Sequence, residues 1–415
     1  MAHRQQISNQ KDAVSTEPTA AVAVPRKRGA AGSNVLPKRE VAEFPAALGY
    51  RMPAEWETHA ATWLAWPHNR TDWPGKFEPI PFVYAEIVRH LVRVERVELI
   101  VQDEAAEQRA REVLSLANIL KTPQTRHPNL RFHRWPTNRG WTRDSGPIFL
   151  VGENPSEKVI RGSASPKPRL ALTNWRFSAW AKYRNWQLDN EIPDNVTKLL
   201  KVPSFHPTIM VNGRARLVVL EGGSIDVNGR GTMLTTEECL LSSVQQRNPG
   251  LSRADLETMF ANYLGVQKVI WLERGIVGDD THGHVDDIAR FVGPNTVVTA
   301  YEDDPADANF EALRDNFRRL TRSTDQNGEP LRVVKLPMPA PVVFRGQRLP
   351  ASYANFYIAN RTVLVPVFDD PKDRIALNTF AELMPKYSIV PIYCGDLVWG
   401  LGTIHCMTQQ QPSAE

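Results

Sequence analysis

The chain has 415 residues, 42% of them hydrophobic and 23% charged, and a formal net charge of +4 at pH 7. That length buries a large core, in one big domain or two smaller ones, and so small a charge for the size gives no argument for a nucleic-acid partner. Three cysteines, Cys239, Cys394 and Cys406, are too few and too scattered for a disulfide framework and point to a reducing, cytoplasmic setting; no apolar run approaches the roughly 18 residues that span a bilayer.

In chain order, residues 1–42 contain no aromatic side chain, are rich in Ala, Pro, Gln and Ser, and hold one run of three basic residues, Arg26-Lys27-Arg28. This composition predicts a disordered extension, with a single folded domain over 43–415. The apolar stretch Ala20-Ala21-Val22-Ala23-Val24 is shorter than the ~7–15 residues of a secretory core. Beyond the extension, β-like runs alternate with amphipathic helical stretches. Arg96–Val101 reads as a strand and 103–117 as a helix; Leu217–Leu220 and 231–236 read as strands. Ser252 caps a helix with Asp255 three residues on, a weak form of the capping box. Val269–Leu272 and 295–300 are strands, a helix covers 309–321, and Val363–Pro366 and 388–392 complete the series. The pattern is α/β, and similar strand–helix groupings recur without a strict sequence repeat, which predicts a structural repeat.

Four polar groups stand at the ends of apolar runs, where loops carry chemistry. Trp141-Thr142-Arg143-Asp144-Ser145-Gly146-Pro147 precedes the strand Ile148-Phe149-Leu150, and Glu221-Gly222-Gly223 follows Leu217–Leu220. The third group is His282-Gly283-His284-Val285-Asp286-Asp287. On extended backbone His282, His284 and Asp286 would share one face, which leaves two readings open. One is a zinc site, for the string is similar to the metal-binding His-x-His-x-Asp-His of metallo-β-lactamase-like hydrolases, with Asp287 in place of the closing histidine. The other is an acid–base histidine, His284, beside a carboxylate, Asp286, that grips a cation. The fourth group, Gly400-Leu401-Gly402-Thr403-Ile404-His405-Cys406, delivers a thiol beside a histidine, with glycines that let backbone approach a ligand closely. A thiol, a histidine and three carboxylates fit attack on the carbon of a guanidinium. Carboxylates fix the planar cation, its carbon needs a strong nucleophile, and its leaving nitrogen needs a proton donor.

These strings, with 49–57, Trp175-Arg176-Phe177, Ala351–Asn360 and Thr408–Pro412, resemble the agmatine deiminase and bacterial-type peptidyl-arginine deiminase family of guanidine-modifying enzymes over about 44–412. The resemblance implies a five-fold pseudosymmetric α/β propeller, the pentein fold, built of repeated ββαβ units with the site at its axis. It implies Cys406 as nucleophile, His284 as general acid and then base, Asp144 and Asp286 gripping the guanidinium, and Glu221 orienting His284. Trp141, Arg143, Trp175, Arg176 and Gly402 are the implied substrate-binding residues. The family uses no metal and no cofactor, which demotes the zinc hydrolase built on His282, His284 and Asp286. The implied activity is hydrolysis of agmatine to N-carbamoylputrescine and ammonia through an S-alkylthiouronium on Cys406, a step toward putrescine. Free arginine, peptidyl-arginine or another guanidino compound is the alternative. The expected partner is a small guanidino molecule, without nucleic acid or membrane, and association into a homo-oligomer is left open.

The chain departs from the family pattern at Leu401 and Thr403, where glycine and asparagine are usual, at Ser178 and Ala181, where asparagine and glycine are usual, and at His282, where an aspartate is usual. These departures touch substrate preference rather than a catalytic group. Agmatine's ammonium would need an acid or an aromatic cage, from Trp141 or the loop 66–73; arginine's carboxylate would need a cation such as Arg176 or Arg184.

Overall fold

The computed structural model describes residues 44–152, 169–211 and 213–414, so the extension expected over 1–42 lies outside the described residues. Five sheets repeat one plan. In each, an antiparallel strand pair is followed by a helix that crosses over to a third strand parallel to the second. Asp226–Val227, Thr232–Thr236 and Lys268–Leu272 form one such sheet, with the helix Arg253–Leu264 on the crossover. Ala289–Gly293, Thr296–Tyr301 and Arg332–Pro337 form the next, around Phe310–Thr321. Tyr357–Ala359, Thr362–Val367 and Ser388–Tyr393 follow, around Asp373–Leu383. Ile148–Gly152, Leu170–Thr173 and Ser204–Phe205 share the plan, with Tyr50–Arg51 added at the edge.

The first unit borrows a strand. His59–Ala65 pairs antiparallel with Thr408–Pro412 from the far end of the chain, then runs parallel to Arg96–Val101, which pairs with Leu130–Arg134. This explains why a C-terminal run of glutamines is buried: Gln409 donates to the Pro147 carbonyl at 2.8 Å, Gln410 accepts from Arg143 at 2.6 Å, and Gln411 accepts from the Trp63 indole at 3.1 Å. These bonds offset much of the cost of burying the amides, although Gln409 Oε1 is left without a partner among the described residues.

Local chemistry sets the element ends. Ser252 and Asp255 form the complete capping box, and Gly265 (φ 71°) closes that helix in the left-handed region. Asp103 accepts from the Ala106 N–H at 2.7 Å and starts Glu104–Leu116. Two expectations fail. Leu217 ends the hairpin strand Arg214–Leu217, while 218–220 form no ladder beyond a single bridge from Val219 to Arg176. Residues 282–287 are not extended: His282 (φ 65°) and Gly283 (φ 93°) turn the chain left-handed, and Val285–Asp287 is a 3₁₀ turn.

Each unit has one short segment immediately before its first strand: the helical turns 142–145, 222–224, 285–287 and 404–407 and the non-helical turn 352–355. Segment 142–145 touches both 404–407 and 222–224, and 222–224 touches 285–287. Asn355 closes the ring by bonding both Asp287 and Cys406. Among the described residues no helix is long and apolar enough to cross a membrane.

Candidate active site

Cys406 lies on the short helix Ile404–Met407, only 5% exposed, at the floor of a cavity of about 450 Å³ that opens past Trp141, Trp180 and Asp72. Burial pushes its thiol well above the ordinary range, and Asp286, Asp287 and Asp144 push it further, so the thiol is protonated while the cavity holds no cation. The Asn355 amide donates to the sulfur at 3.1 Å, and Asp286 Oδ2 lies 3.7 Å from it. The Asn355 carbonyl oxygen accepts from the Thr403 hydroxyl at 2.8 Å and from the His405 N–H at 3.1 Å. With its oxygen so occupied, the amide must turn its NH₂ to the thiol. Thr403 therefore acts on the nucleophile through Asn355 and does not shape the pocket wall.

His284 is fully buried, with Nδ1 3.7 Å from Asp144 Oδ1 and Nε2 3.6 Å from Glu221 Oε2; neither ring nitrogen has a hydrogen-bond partner. Burial works against its charged form, but the carboxylates of Asp144 and Glu221 and the Cys239 side chain outweigh it and hold the pKa well above the usual histidine value. Glu221 is itself buried, a cost offset by Arg247, whose Nε lies 3.1 Å away, and by His284; together they hold its pKa below the usual value. Burial raises Asp144 to about 6, although His284 and the Trp180 indole lower it; that indole donates to Oδ2 at 2.9 Å and the Gly223 N–H to Oδ1 at 3.0 Å. Asp286 keeps a low pKa against burial because His405 donates to it at 2.7 Å, while its Oδ1 has no partner.

Two glycines are required by space. A Cβ at Gly223 would stand 2.6 Å from His284 Nδ1, 2.8 Å from Asp144 Oδ1 and 3.0 Å from Asp286 Oδ2. One at Gly402 would stand 3.0 Å from the Trp141 ring and 3.1 Å from the Cys406 sulfur.

The structure thus brings together Cys406, His284, Asp144, Asp286 and Glu221, with Trp141 and Gly402 on the cavity wall. Three expected substrate-binding residues are elsewhere. Arg143 is buried beneath the site against Glu55 at 3.1 Å and Gln410. Trp175 packs on Phe260 and Tyr263 in a separate core. Arg176 is exposed and lies over the Trp186 ring. Trp175 and Arg176 directly follow the strand Leu170–Thr173, while the cavity is reached further on, by Trp180, Tyr183 and Asn185. The zinc trio also fails, because the left-handed turn aims His282 at Ser242 (3.2 Å) rather than alongside His284. Glu221, Cys239 and His284 do offer ligand atoms within 4.8 Å, but the Arg247 guanidinium already neutralises Glu221 there. The sequence assigns no role to Trp180 or Arg247, and it offers Asn355 only within a matching string and His405 only as the neighbour of the thiol. Asn355 was within reach, since five repeated units demand five axial segments and only four had been found.

The departures at Leu401 and Ala181 acquire a physical meaning. Both keep the left-handed backbone that glycine takes freely, at φ 69° and 54°, and Ala181 follows Ala179 and Trp180 in the same region. A non-glycine residue there costs about 1–2 kcal/mol, and glycine's freedom in the unfolded chain returns about 0.4–1 kcal/mol of that. Ala181 is exposed, so Ala181→Gly is expected to stabilise the protein by about 1 kcal/mol. A lower urea midpoint for the variant would contradict this.

A buried thiol faced by an imidazole and by carboxylates with unfilled acceptor positions, on the axis of five ββαβ units, defines a guanidine deiminase: a hydrolase of C–N bonds in linear amidines. Residues 51–412 match the model of the Porphyromonas-type peptidyl-arginine deiminase family, and the chain belongs to that family. It is 34% identical over 392 residues to the agmatine deiminase of Pseudomonas syringae pv. syringae, covering 89% of this chain and 97% of that protein. It is 34% identical over 395 residues to the agmatine deiminase of Medicago truncatula, covering 89% and 98%. The structure of the agmatine deiminase of Enterococcus faecalis matches with a TM-score of 0.77 at 31% identity, over 91% of this chain and 100% of that one. The five-unit topology and this likeness agree on the pentein fold.

Proposed function

We propose that the enzyme hydrolyses agmatine to N-carbamoylputrescine and ammonia, with Cys406, His284, Asp144 and Asp286 as the catalytic residues and Glu221 positioning His284. The observation that carries the substrate is the charge of the cavity wall. Among the described residues its one Lys or Arg side chain is Arg139, held 3.5 Å from Asp72 and spread over the Tyr183 ring, while Asp72 and Asp280 line the outer part. An arginine carboxylate would find no free cation there; an alkylammonium finds carboxylates. The agmatine deiminases to which the chain is similar support the same reading.

The guanidinium sits between Asp144 and Asp286, and its positive charge removes the penalty on ionising Cys406, whose proton leaves to solvent. The thiolate adds to the guanidinium carbon. His284, already an imidazolium, protonates one amino nitrogen, and ammonia departs to leave a cationic thiouronium on the sulfur. The neutral His284 then takes a proton from water, whose oxygen bonds to the carbon. Collapse breaks the C–S bond, and the proton on the new carbonyl oxygen returns to sulfur. The two aspartates, both buried at the cavity floor, hold the planar cation in line and offset its charge. The product, a carbamoylated diamine, places the enzyme on a route to putrescine. The three free, buried cysteines support a cytoplasmic setting.

Ammonia release from agmatine, arginine and a peptide ending in arginine tests the substrate. Agmatine is expected to lead arginine by about 100-fold in kcat/KM, the discrimination given by one misplaced desolvated charge; a lead for either arginine substrate would overturn the reading.

A further inference from the structure

Three carboxylates line the cavity, and their surroundings differ. Asp144, at the floor, has both oxygens bonded, by the Gly223 N–H and the Trp180 indole. Asp280, toward the rim, has Oδ1 bonded by Lys182 and Oδ2 by the Tyr183 hydroxyl at 2.6 Å. Asp72 has a side chain 7% exposed, and its Oδ2 is buried without any hydrogen-bond partner. Its Oδ1 stands 3.5 Å from Arg139, and that guanidinium is shared with the Asn185 carbonyl oxygen at 3.3 Å and with the Tyr183 ring. A buried carboxylate oxygen without a donor is costly. Burial accordingly raises the Asp72 pKa to about 6, with Arg139 and the Trp141 indole lowering it only in part. One acceptor position of this carboxylate, Oδ2, stands unfilled among the described residues.

We propose that Asp72 is the ammonium subsite: it receives the primary alkylammonium at the far end of the substrate, while Asp144 and Asp286 hold the guanidinium. Trp141 connects the two ends. The edge of its ring closes on Gly402 beside the Cys406 sulfur, and its N–H faces Asp72, so the indole lies alongside the path that the methylene chain must take. An apolar flank with a carboxylate beyond it suits a diamine-like chain that ends in a positive charge. This inference rests on agmatine being the substrate, and it adds which carboxylate selects it: Asp72, with an unfilled acceptor, rather than Asp280, which already holds the ammonium of Lys182.

The test compares agmatine with 1-butylguanidine, which has the same chain length and no ammonium, in steady-state ammonia release by the wild type, Asp72→Asn and Asp280→Asn. The wild type is expected to prefer agmatine by at least about 10-fold in kcat/KM. Asp72→Asn is expected to reduce that preference about 10- to 100-fold, the worth of a hydrogen bond to a charged group, mainly through the KM for agmatine. Asp280→Asn is expected to change it less than about threefold, within the range of an exposed ion pair. Asp72→Ser gives the same readout should the asparagine variant not fold. Agmatine turnover with the preference intact in both Asp72 variants, or a preference lost in Asp280→Asn instead, would overturn the assignment of Asp72 alone. A wild type that turns over another guanidine and not agmatine would overturn the substrate reading and this subsite with it.

Discussion

Replacing Cys406 with alanine is expected to lower kcat for ammonia release by about 100,000-fold or more, the scale reached when the one nucleophile of a covalent route is deleted. No other group in the cavity can replace it. Cys239 and Cys394 are buried away from its wall, and the carboxylates that face the substrate make the carbon attacked more stable as a cation, not more reactive toward water. Binding should survive, because Asp144, Asp286 and the cavity wall are intact; agmatine is expected to raise the unfolding temperature of the variant as it does that of the wild type. A variant that keeps more than a hundredth of wild-type turnover would rule out covalent catalysis by this sulfur. The same geometry explains why the protein does not keep a permanent thiolate. Burial and three carboxylates hold the thiol protonated, and only a bound cation lifts that penalty, so the nucleophile is generated when its target is in place.

The carboxylates at the axis differ in how readily they ionise although they lie close together, and the residues below them accomplish this. Asp286 accepts from His405 at 2.7 Å, and the other nitrogen of that ring bonds Glu55 at 2.9 Å. Glu55 in turn is paired with Arg143 and with Arg290 at 2.8 Å, and Arg290 also holds Asp226. Burial alone would raise Glu55, but Arg290, His405 and Arg143 hold it well below the carboxylate range. Asp287 has no such partner. Burial and the neighbouring Asp286 drive its pKa well above the ordinary value, and the Asn355 amide donates to it at 2.9 Å. Asp286 is therefore the carboxylate held in its charged form for the guanidinium, and the adjacent Asp287 is the harder of the two to ionise. Removing either partner of such a buried pair leaves an uncompensated charge, which is more damaging than losing the pair's net attraction.

Much of this was legible before any coordinates. The strand Arg96–Val101, the helices at 103–117 and 309–321 and the start of a helix at Ser252 were readable because β-branched runs, caps and 3.6-residue spacing act locally. The residues that meet at the axis were readable because glycines, a thiol and paired acids sit at the ends of apolar runs. What escaped depends on contacts distant in sequence. Asn355 reaches Cys406 across 51 positions, His405 reaches Glu55 across 350, and Trp180 reaches Asp144 across 36. Nothing in the local string around His405 distinguishes a ligand-facing imidazole from one turned inward to hold Asp286. The opposite error arose at Trp175 and Arg176, where proximity to a matching motif was taken for proximity to the substrate; alternation of faces sends Trp175 into the core and Arg176 to solvent. At 282–287 the alternation argument itself failed, because it assumed extended backbone and two left-handed residues break it.

His284→Gln is expected to reduce kcat by about 10,000-fold, the upper part of the range for one acid–base group, because the same imidazole serves both halves of the reaction. An amine nitrogen cannot leave the tetrahedral adduct without a proton, and water cannot attack the thiouronium at a useful rate unless it loses one. No second group replaces it: Glu221 is tied to Arg247 and lies behind the ring, and Asp144 is committed to the cation. The two halves can be separated chemically. In an analogue of agmatine with a methylthio group in place of one terminal amino group, methanethiolate leaves without needing a proton. With that substrate His284→Gln should complete the first half and stop, so that the amidino adduct accumulates on Cys406 and is seen as added mass in the intact protein. The wild type should turn the analogue over without accumulating the adduct, and Cys406→Ala should show neither. An unmodified His284→Gln protein that nevertheless releases methanethiol at the wild-type rate would place the base for the second step on another residue. An adduct trapped with agmatine itself would mean that ammonia departs without the proton from His284, leaving the imidazole to act only on water.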